Sequence, residues 1–444
     1  MASAAEQLAR NLSFSTFSKA KALQQRIWFT LGALLIYRLG TFIPVPGIDP
    51  DAFRATFEQS QQGIIGMFNM FSGGAVERMA IFALNLIPYI TASIVVQVVA
   101  TASPRLEALK KEGEAGRRKM NQYTRYLAVL FCAVQAYGLA VGLEGSQGVV
   151  LNPGWFFRIS TVITLVGGTM FLMWLGEQMT SRGVGNGISL IIFAGIVANL
   201  PSTIAQTLEL SRTGALPAFA GIGMLLLALV VIAIIVFFER AQRRLLIQYP
   251  KRQVGNKLFQ GDTSHLPLKL NTAGVIPVIF GSSLLLLPTT IASFAAQGDA
   301  PGWLTTVTAL LGRGQPLYMA LFAFLIIFFA FFYTAIVFNP TETADNLKRS
   351  GGFIPGIRPG ERTAAHIDYV LTRITVAGAL YLTFVALLPE VFFSQLAVSQ
   401  FIGGTSLLIM VTVTLDTVTQ IQSHLVAQQY EGLLKKSRLG GKRR

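Results

Sequence analysis

Ten apolar stretches, each of roughly 20 residues, run along the chain and constrain its fold more than any other feature. A helix of that length crosses the hydrocarbon core of a bilayer. The chain has 444 residues, of which 52% are hydrophobic and 13% are charged, which is too apolar for a soluble enzyme. The stretches lie at 27–43, 80–103, 123–143, 159–179, 186–204, 217–238, 272–296, 317–338, 373–390 and 401–421.

Basic residues are distributed unevenly over the loops between these stretches. Loops on the cytoplasmic side of a membrane protein carry an excess of Lys and Arg. If the N-terminus is inside, only six of the 36 basic residues fall on the outer side: Arg38, Arg54, Arg78, Arg158, Arg212 and Arg313. We therefore predict an all-α polytopic membrane protein with ten transmembrane helices, whose leader (1–26) and tail (422–444) are cytosolic.

One apolar segment, IIGMFNMF at residues 64–71, is too short to span a bilayer. It is followed by Ser72, Gly73 and Gly74 and lies on the predicted outer side, just before the second stretch. An interfacial helix and a re-entrant segment both fit this pattern. Non-spanning backbone is tolerated at membrane depth only where protein or water surrounds it.

Two short sequence matches relate the first five stretches to the last five. Residues 87–93 read IPYITAS and residues 276–282 read IPVIFGS, while 187–192 read GISLII and 404–409 read GTSLLI. Each match lies five crossings later in the chain, so the matching segments run in opposite directions. This pattern predicts two inverted five-helix halves, at 27–204 and 217–421, joined by an outer hinge loop at 205–216.

Aliphatic residues at and beside the repeat-matched positions are candidates for a constriction along a path through the protein. Interrupted segments of inverted-repeat proteins, here those with Pro88 and Pro277, point to such a path. A ring of apolar side chains closes a pore by dewetting. The residues leave open the alternative that these side chains face lipid or pack in the core. The candidates are Leu86, Ile90, Ile188, Ile192, Ile279 and Ile409.

Motifs for soluble chemistry are absent from the sequence. The glycine-rich RGVGNG (182–187) follows no strand, so it predicts a tight turn into the fifth stretch rather than a dinucleotide site. The His and Cys residues have no metal-ligand spacing. Polar groups within the stretches are mostly neutral, which is unlike an ion-coupled transporter. We therefore expect no enzymatic activity, no metal, no cofactor, and a passive gated path.

Two long loops on the predicted inner side, 239–271 and 339–372, are rich in basic residues and punctuated by Pro, Gly and aromatic residues. Attraction to anionic lipids together with the orientation signal accounts for scattered Lys and Arg. The punctuation favours a shaped surface that docks a partner. The docking candidates are Arg243, Arg244, Lys251, Arg252, Lys257 and Arg358.

Longer motifs spread over most of the chain point to a known family. They include FIPVPGID (42–49), MFNMFSGG (67–74), KKEGEAGRRKMNQYTRY (110–126), SHLPLK (264–269), TADNLKRSGGFIPGIRPG (343–360) and GGTSLLI (403–409). In these motifs and their order, the chain resembles the SecY family, the channel-forming subunits of the bacterial protein translocon.

The resemblance implies a clam of two halves around an hourglass pore, with the six candidate aliphatics as its apolar ring. It implies a lateral gate between segments 2–3 and 7–8, with Thr91, Gln97 and Asn271 as members. It also implies that the short apolar segment is a re-entrant plug helix over about 64–74. The plug residues are Ile64, Ile65, Met67, Phe68, Asn69, Phe71, Ser72, Gly73 and Gly74.

The resemblance further implies a function and partners. The chain is expected to pass unfolded secretory polypeptides across the bacterial inner membrane and to release membrane segments into lipid. The two basic loops are expected to dock the motor ATPase SecA or the ribosome, with Arg358 critical. SecE and SecG are expected as small membrane subunits. The alternative is an inverted-repeat secondary transporter of a small solute.

Overall fold

The computed structural model describes residues 21–60, 69, 71–145, 148–213, 218–250, 252–254, 257–259, 263–295, 310, 315–396 and 403–440. Most of these residues are helical. The helices are α1 (Lys21–Gly40), α2 (Pro50–Ser60), α3 (Ile87–Ala102), α4 (Pro104–Lys111), α5 (Glu114–Gly145), α6 (Trp155–Arg182), α7 (Gly187–Arg212), α8 (Ala218–Arg240), α9 (Ile276–Ala295), α10 (Pro316–Val337), α11 (Pro340–Arg349), α12 (Glu361–Leu396) and α13 (Gly404–Gly440).

Each predicted apolar stretch overlaps one of these helices. Within the described residues, seven helices are long and apolar enough to cross a membrane: α5, α6, α7, α8, α10, α12 and α13. The apolar helix α3 and the apolar part of α9 (Ile276–Leu285) are shorter. The prediction of a polytopic membrane protein is confirmed by these spans together with the relatives described below.

The second predicted stretch begins later as a helix than its hydropathy indicates. Residues 81–86 form turns, and α3 starts only at Ile87, with Pro88 in its first turn. A proline there has no intrahelical hydrogen bond to lose, because the first amides of a helix are free. Pro88 therefore starts this helix rather than kinking it. Asn85 before it adopts a left-handed backbone with φ of +48°.

The chain divides into two compact units. The first contains α1 to α6, α7 as far as Gln206, α9 from Leu286 and α13 from Ile409. Its main core packs α3, α5 and α6 together with residues from the loops around α2; Phe53 and Phe57 attach α2 to this core. Asp49 caps α2, because its carboxylate accepts from the amides of Asp51 and Ala52.

The glycine-rich turn at 182–187 belongs to the first unit and confirms the predicted tight turn. Gly185 has a φ of +89°, which favours glycine. The side chain of Thr30 accepts from the amide of Val184, and that of Thr180 accepts from the amide of Gly187. The entry into α7 is thus fixed by hydroxyl groups on two other helices.

The second unit contains the rest of α7, α8, the first part of α9, α10 to α12 and the start of α13. It also contains two antiparallel hairpins in the first basic loop. Strand β1 (Gln242–Gln248) pairs with β4 (Thr263–Lys269), and β2 (Arg252–Val254) pairs with β3 (Lys257–Phe259). The all-α description therefore holds for the spans, while this loop is a β-structure that the sequence analysis did not predict.

Candidate functional site

The described part of the plug candidate lies in the first unit. It comprises Asn69 and residues 71–74, whereas Ile64, Ile65, Met67 and Phe68 lie outside the described residues. Phe71 and Ser72 are buried, and the two following glycines are buried with them. This run of backbone is thus enclosed by protein, which is the condition that membrane depth imposes on irregular chain.

Three side chains donate hydrogen bonds to three consecutive backbone carbonyls of this run. The donors come from α1 and from the turn before α3. The bonds are Asn85 Nδ2 to Phe71 O (2.7 Å), Tyr37 OH to Ser72 O (3.1 Å) and Arg38 Nη1 to Gly73 O (2.6 Å). We call the three acceptors the carbonyl run 71–73. Buried carbonyls need partners, and here each has a side-chain donor.

The same run crosses α7 at a point where both chains carry glycine. Gly73 has a φ of +68°, and a Cβ on it would lie 2.9 Å from Cα of Gly195. A Cβ on Gly195 would lie 2.5 Å from the carbonyl oxygen of Phe71 and 3.0 Å from the Tyr37 hydroxyl. The close approach of the plug backbone to α7 therefore requires glycine at both positions.

A second set of contacts ties the plug candidate to the loop that follows it. Asn69 Oδ1 accepts from the amide of Glu77 at 3.0 Å, and Asn69 Nδ2 donates to the Glu77 carboxylate at 3.3 Å. Glu77 also forms an ion pair with Arg54 on α2, at 3.5 Å. Asn199 on α7 donates to the carbonyl of Asn69 at 3.5 Å. Asn69 is thus a junction between the plug candidate and two helices.

The candidate ring residues are divided between the two units, and only Ile279 belongs to the second. In the first unit, Leu86 and Ile409 are fully buried, Ile90 and Ile192 are nearly so, and Ile188 is half-buried. Leu86 immediately precedes α3 and lies one turn before Ile90. A Cβ on Gly176 of α6 would lie 3.2 Å from Cγ1 of Ile188, so this ring candidate packs near α6. The ring itself stays a prediction.

The three gate candidates have hydrogen bonds inside their own units. Thr91 donates to the carbonyl of Ile87 in the preceding turn, and Gln97 Nε2 donates to Ser93 Oγ at 3.1 Å. Gln97 Oε1 is buried and has no protein partner in the structure. Asn271 Nδ2 donates to Glu239 at 2.6 Å and to the carbonyl of Gly274. All three gate candidates therefore donate a hydrogen bond, and the buried acceptor of Gln97 has no protein partner.

The two basic loops are folded together in the second unit around one hydrophobic core. Leu245 of β1, Leu268 of β4 and Ile367 of α12 are buried in it, with Ile354 from the second loop. Gln248 and Phe353 exchange two backbone hydrogen bonds, of 2.9 and 3.0 Å, which join β1 to the second loop. The shaped surface predicted from the Pro, Gly and aromatic residues thus has a structural basis.

The docking candidates differ in how far the structure describes them. Arg243 and Arg244 on β1 are exposed, and so is Arg358. Arg252 lies on β2 and Lys257 on β3, described here by their backbone, while Lys251 lies outside the described residues.

The turn that carries Arg358 is fixed by its neighbours. Gly356 and Gly360 have φ values of +82° and +106°, and the Thr363 hydroxyl donates to the Arg358 carbonyl at 2.9 Å. Glycine accepts these left-handed conformations at no steric cost. Arg358 is thus an exposed cation on a turn of defined shape.

Sequence reasoning missed the residues that hold the plug candidate. No sequence pattern assigns a role to Tyr37 or Asn85, and Arg38 counts there only as an outer basic residue. The available signals were a cation inside an apolar stretch, at Arg38, and an amide between apolar residues, at Asn85. Both are expensive in a membrane unless they have partners. Among the described residues, no group of His, Cys, Asp and Glu could hold a metal ion.

Comparison with known proteins identifies the family. The SecY family model matches residues 80–418. A protein translocase subunit SecY from Rickettsia typhi is 54% identical over 429 residues, which covers 95% of this chain and 99% of that relative. The subunit of the same name from Pseudomonas aeruginosa is 55% identical over 419 residues, covering 94% and 95%.

Solved structures give the same fold at much lower identity. A protein-conducting channel aligns with a TM-score of 0.65 at 16% identity, covering 91% of this chain and 93% of that one. A SecY structure described by its plug domain aligns with a TM-score of 0.64 at 17% identity and the same coverage. Sec61 from a canine ribosome–channel complex gives 0.62 at 15%, also with this coverage. With matches of this length and similarity, the chain belongs to the SecY family.

Proposed function

We propose that this chain forms a protein-conducting channel, which passes unfolded polypeptides across a membrane and releases apolar segments sideways into the lipid. The observation that carries this proposal is the identity above 50% to protein translocase subunits over nearly the whole chain. The apolar character of the candidate ring supports it. An aliphatic constriction contacts any side chain without specific bonds and excludes ions by dewetting when it is empty.

The plug is proposed as a second seal on the outer side of that ring. In one of the solved SecY structures, the plug domain is described as stabilising the closed state and maintaining a membrane seal. In this chain, the burial of residues 71–74 among three elements of the first unit supports the same role. The gate role of Thr91, Gln97 and Asn271 is proposed on the resemblance, together with the position of Thr91 and Gln97 as polar groups on the apolar helix α3.

Crosslinking of a translocating chain tests the channel function directly. A photo-reactive amino acid replaces Ile192, and a secretory polypeptide is stalled during export. We expect a crosslink between the stalled polypeptide and position 192. The matched control places the same probe at Ile163 on α6, whose side chain is 66% exposed. A secondary transporter of small solutes would give no polypeptide crosslink at Ile192, so that result would reject the channel.

The folded pair of basic loops is proposed as the docking surface for the motor ATPase SecA or for the ribosome. The exposure of Arg243, Arg244 and Arg358 supports this proposal. One structural neighbour is a channel solved in a ribosome complex. SecE and SecG are proposed as small subunits, and anionic lipids as further partners of the basic loops. The driving energy comes from the motor or the ribosome, and the chain itself acts without enzymatic activity.

Charge reversal at Arg358 is expected to slow motor-driven export into membrane vesicles by about tenfold or more, because a docking charge pair becomes a repulsion. Arg105→Glu is the matched control, since Arg105 is also exposed and lies on α4, outside the two basic loops. Export by Arg358→Glu at the wild-type rate would contradict the docking role. A loss that is equal in both variants would indicate a general electrostatic effect instead.

The proposed location is the bacterial inner membrane, with both termini in the cytosol. The multi-span structure and the family support a membrane location. The excess of basic residues on one side supports the orientation.

A further inference from the structure

We propose that Tyr37, Arg38 and Asn85 form a latch, which holds one end of the plug in its closed position and sets how often an idle channel opens. This inference rests on the proposed sealing function of the plug. The three donors come from two separate elements, α1 and the turn before α3, and they converge on the carbonyl run 71–73. The backbone of the plug is thus bound through three consecutive carbonyls.

The latch recognises backbone, so its strength depends on the donors and not on the side chains of the plug. Tyr37 is fully buried, and its ring stacks on Phe82 with centroids 6.2 Å apart. The guanidinium of Arg38 lies over the ring of Phe42, 5.2 Å from its centroid. Both donors are therefore held in place by packing before they bind the plug, which lowers the entropy that binding costs.

Gly195 leaves the space in which the plug backbone lies against α7, and we call this space the seat. Its missing side chain leaves room for the Phe71 carbonyl and for the Tyr37 hydroxyl, which would lie 2.5 and 3.0 Å from an added Cβ. A methyl group there would collide with the backbone of the plug and with one of the latch donors together. The seat and the latch are thus one arrangement, and each is tested by a different substitution.

The latch also fixes where the plug can move. With residues 71–73 bound to α1 and to the turn before α3, release of this part of the plug requires that these three bonds break. Weakening one bond shifts this equilibrium toward release. A single buried hydrogen bond changes such an equilibrium by about fivefold.

The first test compares Tyr37→Phe with Tyr126→Phe in the complete translocon reconstituted into liposomes. Tyr37→Phe removes the hydroxyl and keeps the ring, while Tyr126 is 70% exposed and serves as the matched control. We expect Tyr37→Phe to raise the ion flux of idle channels by about fivefold, and Tyr126→Phe to leave it unchanged. Equal flux in both variants would overturn the latch.

The second test replaces Gly195 with alanine and uses Gly167→Ala on α6 as its control. An added Cβ on Gly167 would meet nothing within 4 Å. Gly195→Ala is expected to raise idle ion flux at least as much as Tyr37→Phe does, because the collision unseats the plug backbone itself. If the idle ion flux of Gly195→Ala is no higher than that of Gly167→Ala, the close approach at Gly195 does not hold the plug.

A plug deletion separates the latch from the sealing function and from general loosening. Deletion of the plug candidate, residues 64–74, removes the acceptors of the latch together with the plug; it is expected to raise idle flux, and no increase would reject both the seal and the latch. In this deletion background, Tyr37→Phe is expected to add no further flux, because the plug it holds is gone. An equal increase in both backgrounds would show that Tyr37 acts on the fold alone, and would overturn the latch while leaving the seal intact.

Discussion

Replacing Ile90 and Ile279 together with glycine is expected to raise the ion conductance of idle channels by about tenfold or more, since dewetting depends on a narrow apolar constriction. Each substitution removes a branched aliphatic side chain from the candidate ring, one in each unit. The loss widens the passage and exposes backbone polar groups that water can bind. Water and then ions would enter a pore that is otherwise dry. The measurement is single-channel conductance in planar bilayers, with the amount of assembled channel determined in parallel.

The matched control replaces two isoleucines that lie outside the candidate ring with glycine. Ile163 on α6 and Ile222 on α8 are 66% and 68% exposed, so they lie on the surfaces of their own units. Ile163→Gly with Ile222→Gly introduces the same two helix-weakening glycines, one in each unit, at a cost of about 1 kcal/mol each. If the ring variant conducts no more than this control, the six aliphatics do not form the seal.

Alanine at Gly168 is expected to destabilise the protein by about 1–3 kcal/mol, whereas alanine at the neighbouring Gly167 is expected to be neutral or to stabilise it by up to about 1 kcal/mol. A Cβ on Gly168 would overlap the carbonyl oxygen of Ile81 and lie 3.3 Å from the ring of Phe82. The overlap is with backbone, which cannot rotate away. A Cβ on Gly167 meets nothing within 4 Å, and alanine favours the helix.

The native cysteine of the chain can report how each of these two substitutions changes stability. Cys132 is its single cysteine, is buried, and donates to Thr169 at 3.4 Å, next to the substituted pair. A thiol-reactive fluorophore therefore labels Cys132 when this region opens. We expect labelling of Gly168→Ala at lower temperature than wild type, and labelling of Gly167→Ala at the same or a higher temperature. The same labelling temperature for both would contradict the close contact between α6 and the turn before α3.

The spans could be predicted because length and hydropathy are local properties. A run of some 20 apolar residues has few alternatives to a membrane helix. Differences arose at α3, which Pro88 and Asn85 start later than its apolar run, and at α1, which is not among the described helices apolar enough to cross a membrane. The hairpin β1–β4 was missed for the opposite reason. Its alternation of buried Leu245 and Ile247 with more exposed neighbours is only a few residues long. The many charges of this loop indicate an exposed surface and do not by themselves indicate a strand.

The residues of the latch could not be recognised from the sequence alone. Its acceptors are backbone carbonyls, which every residue has, so no residue type at 71–73 marks the site. Its donors lie 35 and 14 residues away along the chain. Only the fold brings Tyr37 to Ser72 and Asn85 to Phe71. The candidate ring and docking residues, by contrast, are predicted from repeat positions and charge, which are properties of the residues themselves.

The shared core of the two basic loops has a mechanical consequence. Because Gln248 and Phe353 join the loops through backbone bonds and Leu245, Ile354 and Ile367 pack around one centre, the loops cannot move independently. Only Ala241 separates β1 from the end of α8, and Ile367 lies in α12 itself. A force on the turn around Arg358, such as one from the proposed docking partner, would therefore be transmitted to both α8 and α12 as a torque, without passing through a flexible linker.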